Sequence, residues 1–119
     1  MMPTLESGHL RFRLIGDDPP LAELTDLTSG AVWGPVPPFT LDVYSVALRR
    51  TEDRSDGVYA VTPGDGWIEV TQTVDDVLFS AEATVRFTLE AGDLVARGVA
   101  HGATHIRSRR ADRLDVRAQ

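Results

Sequence analysis

The chain has 119 residues, 42% of them hydrophobic, with 12 arginines and no lysine against 18 acidic residues, for a formal net charge of −6. That length fits one domain, 1–119, able to bury a core without staples, and the acidic balance argues against a nucleic-acid partner. No cysteine is present, which excludes disulfides, thiolate nucleophiles and Cys-based zinc sites. No apolar run approaches the roughly 18–20 residues of a membrane span and no signal-peptide pattern is visible, so no membrane partner is expected and the expected location is cytoplasmic.

Met1 to Ser7 reads as a loose terminus. His9 to Ile15 alternates Leu10, Phe12 and Leu14 with Arg11 and Arg13, a short strand. Asp17 to Gly30 carries helix punctuation. Asp18 can cap, Pro19 suits the first turn, Leu21, Leu24 and Leu27 share a face, and Gly30 can end it. Trp33 to Phe39, WGPVPPF, is a stiff connection because its prolines fix φ and remove donors. Thr40 to Arg50 is a long strand, with Leu41 and Val43 on one face and Tyr44, Val46 and Leu48 on the other.

Thr51 to Gly57 is a polar loop and Val58 to Thr62 a short strand. Pro63 to Gly66 is a turn. Trp67 to Thr73 is a strand, and Asp75-Asp76 turns the chain again. From Val77 to Leu89 the alternation is strict. Phe79, Ala81, Ala83, Val85, Phe87 and Leu89 fall on one face, and Ser80, Glu82, Thr84, Arg86 and Thr88 on the other. The chain reverses around Gly92 into a strand over Leu94 to Ala100. His101-Gly102 is a two-residue turn candidate. Ala103 to Arg109 and Arg113 to Ala118 form a last hairpin.

These elements give eight strands and one short N-terminal helix. The expected fold is all-β, an antiparallel eight-stranded barrel, with closure removing exposed edges. An α+β roll is the second choice. The run AEATVRFTLEAGDLVARG (Ala81 to Gly98) resembles the strand–turn–strand signature of the allene oxide cyclase-like and dirigent-like β-barrels. The segment SDGVYAVTPGDGWIEV (Ser55 to Val70) is loosely similar to that family's Gly-rich strand entry. The resemblance covers about a third of the chain and carries over no active-site residue. It implies an apolar cavity open at one end, and a cyclase of bacterial secondary metabolism that folds its substrate without a nucleophile.

Several residues could carry chemistry. His101 and His105 form an H-x3-H pair, but a turn at His101-Gly102 would separate them, so the expectation is no metal and no cofactor. His101 in a pocket could move a proton near neutral pH. Glu82 and Arg86 sit four apart on the polar face, either as a solvent-facing pair or, if that face lines a wet interior, with Glu82 as a general base. Tyr44, Tyr59, Trp67 and Trp33 are core or rim rings, or the lining of an apolar ligand site. Arg107, Arg109, Arg110, Arg113 and Arg117 make a solvated hairpin or a patch for an anionic partner. No hydrolase elbow, phosphate loop or dinucleotide fingerprint is present. The reading that follows is a barrel enclosing an apolar small molecule, in its enzyme form a cofactor-free cyclase or isomerase with Glu82 and His101 assisting. The alternative is a non-enzymatic interaction module. Neither reading excludes a homodimer.

Overall fold

Alternation of apolar and polar side chains governs nearly every segment, and a period of two can satisfy a one-sided core only as a strand. The computed structural model describes residues 3–45, 49–77, 79–104 and 114–118. Among these the chain is all-β and antiparallel, with eleven strands in three sheets. The first sheet is a meander of β1 (Thr4–Glu6), β2 (Leu10–Ile15), β3 (Leu21–Asp26) and β4 (Val32–Val36). The second is built from β5 (Leu41–Ser45) and β6 (Arg50–Arg54), with β11 (Leu114–Ala118) on the far side of β5. The third is a meander of β7 (Val58–Pro63), β8 (Trp67–Asp75), β9 (Phe79–Glu90) and β10 (Asp93–Thr104).

The third sheet is the spine. Phe79, Ala81, Ala83, Val85 and Phe87 of β9 are all buried, as the alternation requires. Ile68, Val70, Gln72 and Val74 line the same face of β8. The first sheet covers one end of this face. Phe12 and Leu14 point inward, and Phe12 stacks on Phe87 with ring centroids 4.8 Å apart. The second sheet contributes Leu41 and Val43 to the same core, and Arg54 of β6 lies over the Phe79 ring at the other end. Two small sheets thus share one long face, and the molecule is elongated, 57 × 23 × 22 Å.

Several expectations are corrected. The helix over Asp17 to Gly30 is strand β3, paired along its whole length with β2. Two turns of isolated helix are marginal in water, whereas β2 offers a free edge and Arg13 an ion pair to Glu23 directly opposite. The supposed helix end is a turn in which Asp26 accepts hydrogen bonds from the Thr28 and Ser29 amides. Where eight strands closing as a barrel were expected, the described residues form eleven strands in three sheets that do not close into a barrel. Residues 4–6 are a strand with Leu5 buried, where a loose terminus was expected. The loop expected over Thr51 to Gly57 is largely β6, and the stiff connection from Trp33 is the edge strand β4. β10 runs straight through His101-Gly102, with His101 opposite Glu82 and Gly102 opposite Ala81, so no turn falls there. Val46 and Leu48, His105, and the arginines 107, 109, 110 and 113 lie outside the described residues. So does most of the last hairpin. Its final segment is β11, which pairs with β5.

Candidate functional site

Where the first sheet hands over to the second, the chain cannot lie flat on the spine, and a cavity of about 290 Å³ opens there. Its apolar wall is Pro19, Pro20, Leu21, Pro37 and Phe39. Three prolines suit such a wall because they present ring carbons and no amide donors. Tyr59 of β7 closes one side, and Asp53, Arg54 and Ser55 of the β6 end form the rim.

Gln72 fixes the rim. It is the buried polar residue on the inward face of β8, and its Nε2 donates to the carbonyls of Arg54 (3.1 Å) and Asp56 (2.8 Å). The tether holds the β6–β7 connection against the spine. Gly57 completes that bend with φ of 95°, and a Cβ there would collide with the Thr73 carbonyl. The Tyr59 hydroxyl donates to the Ser55 carbonyl at 2.5 Å, which aims the ring across the cavity.

Electrostatics at the rim centre on Arg54. Its guanidinium is bonded to Asp56 at 2.6 Å, Asp76 at 3.1 Å and Glu52 at 3.2 Å. The hydrogen bond to Asp56 is the largest influence raising its pKa, so it stays charged. In return Arg54 holds the Asp56 carboxyl below the usual carboxylate range. Burial pushes the Tyr59 phenol up, and the nearby Asp56 and Asp18 carboxylates add to the shift.

A second, more open cleft of about 220 Å³ lies on the wet face of the spine, lined by Thr73, Ser80, Glu82 and His101. Glu82 and His101 are opposite each other across β9 and β10, with 3.8 Å between carboxylate and Nε2. Both are substantially exposed. Gly102 and Ala103 leave the space beside them.

The residues singled out in the sequence are therefore spread. Glu82 and His101 come together. Tyr59 lines the first cavity, while Tyr44 and Trp67 line neither of the two. Trp67 lies flat on Gly64, and the Arg86 guanidinium covers its ring at 4.1 Å. Arg86 also binds Glu69, so it is not the partner of Glu82. Trp33 is on edge strand β4, 56% exposed. The prolines, Phe39 and Arg54 were not singled out. The signal available was two clusters, Asp18-Pro19-Pro20 and Pro37-Pro38-Phe39, bracketing one strand pair. Among the described residues no group of three or more His, Cys, Asp or Glu is placed to hold a metal ion. No family model, curated protein or solved structure matches the chain.

Proposed function

We propose that this protein binds an apolar small molecule in the cavity between its first two sheets. The single observation behind the reading is the concave site of about 290 Å³ walled by prolines, Phe39 and Tyr59. Ligand sites are commonly concave, largely apolar and fitted with a few polar groups that fix orientation. The Tyr59 ring and the rim supply that mixture. The enzyme form, a cofactor-free cyclase or isomerase, would use Glu82 and His101, but these face the other cleft. Binding without turnover is therefore the form preferred. The test is titration with phenylbutanol, an uncharged probe, followed through the ring and amide resonances of Tyr59 and Leu21. Saturable shifts there are expected; their absence up to millimolar probe sinks the reading.

A second reading, an interaction module that pairs with a second copy of the chain, is favoured by β4. Among the described residues this strand is bonded only to β3, and Val32, Trp33 and Val36 are 54%, 56% and 52% exposed. Free apolar edges template strand addition. Mass by light scattering should then rise with concentration in the native protein and not in Trp33→Arg. A monomer at every concentration rejects it.

A further inference from the structure

The charge around the cavity in the first site narrows what it can hold. Its one cation among the lining residues, Arg54, has its guanidinium engaged by three carboxylates and covers Phe79. Its charge is already matched by those carboxylates, which weakens its pull on an incoming anion. Asp53 lines the cavity, Asp18 directly precedes the lining prolines, and Asp56 directly follows the lining Ser55. Asp18 and Asp56 are both close enough to the Tyr59 phenol to disfavour its ionisation. Asp18 and Asp53 form no ion pair among the described residues. Asp18, Asp53 and Asp56 thus outnumber the one cation among the lining residues. Asp53 also sits directly opposite Asp42 of β5, a like-charge pairing that a cation would relieve.

We infer that the ligand of this cavity is a small organic cation, an ammonium head on an apolar body. The body would lie against Pro20, Pro37 and Phe39, and the head would sit at the acidic rim near Tyr59. Aromatic faces and carboxylates both favour such a head. The inference rests on the binding reading above and adds the sign of the ligand's charge.

Three probes with one apolar body separate the two claims: phenylbutylamine, phenylbutanol and phenylbutyrate. Each is titrated at neutral pH and low salt while the Tyr59 and Leu21 resonances are followed. The amine is expected to bind about tenfold tighter than the alcohol, since several partly exposed charge pairs act together. The carboxylate should bind weakest, and the preference for the amine should shrink at high salt. Asp18→Asn and, separately, Asp53→Asn should each lower amine affinity by about threefold and leave the alcohol unchanged. If the alcohol binds as tightly as the amine, or neither substitution alters the preference, the cation inference is overturned and the binding reading survives. If none of the three probes moves Tyr59, both fail.

Discussion

At the scale of single residues, Gln72 decides more than any catalytic candidate. A glutamine at an inward position between Val70 and Val74 is visible in the sequence as a break in the apolar register, but its partners are backbone carbonyls of a distant bend and leave no mark there. Gln72→Leu would keep the volume and strand both carbonyls. It is expected to cost about 2–3 kcal/mol in urea unfolding, because buried groups left unpaired carry their full desolvation penalty. Asp56 makes a separate, pH-dependent contribution. Its folded pKa is depressed by Arg54, so its stabilisation is complete above the unfolded carboxylate value and is lost as pH falls through the folded one. The stability gap between the native protein and Asp56→Asn should accordingly be flat above about pH 5 and close below about pH 4. A gap that ignores pH would show that the ion pair contributes nothing. Tyr59 was legible as an amphipathic ring. That it faces prolines was not, since those prolines come from two segments separated by two strands.

At the scale of elements, the strict alternation of β9 was the most legible feature, and its buried face is the one the pattern names. Phe87→Ala should lower stability by about 3–5 kcal/mol, from lost transfer energy and a cavity beneath Phe12. A loss under about 1 kcal/mol would remove the spine from the centre of the core. The turn into β10 was also legible, and its geometry adds something. Ala91 and Gly92 both have positive φ, 52° and 84°, between Glu90 and Asp93, the residues that pair across it. That is a type I′ hairpin, which favours asparagine over alanine at the first position. Ala91→Asn should stabilise by about 0.5–1 kcal/mol, measured as a raised midpoint at constant m-value. Two elements misled because local chemistry pointed one way and pairing another. Leu21, Leu24 and Leu27 have helical spacing, yet β3 is held by a neighbouring strand edge. His101-Gly102 has turn composition, yet both residues sit opposite β9 partners that continue the ladder. Propensity over so few residues is a weak prior against a waiting partner.

At the scale of the whole molecule, sheet closure was the expectation that failed, and the reason is division of labour. A barrel would need one continuous ladder, whereas the first and second sheets each end and leave the spine to carry the core between them. The acidic net charge and the arrangement of carboxylates around Arg54 set the character of the surface that results. The topology also implies an order in time. Among the described residues every strand pairs with a neighbour in sequence except β11, which returns to β5 across the entire β7–β10 sheet. Closing that span costs more chain entropy than zipping any adjacent hairpin. A nascent chain can therefore complete the first ten strands before β11 emerges from the ribosome, holding the outer edge of β5 open until then. By the same logic β11 is the first strand to detach from the folded protein. In native-state hydrogen exchange its amides, and those of β5 that face it, should exchange well before the amides shared by β8 and β9. Equal protection across both would mean that assembly is a single cooperative event with no last step.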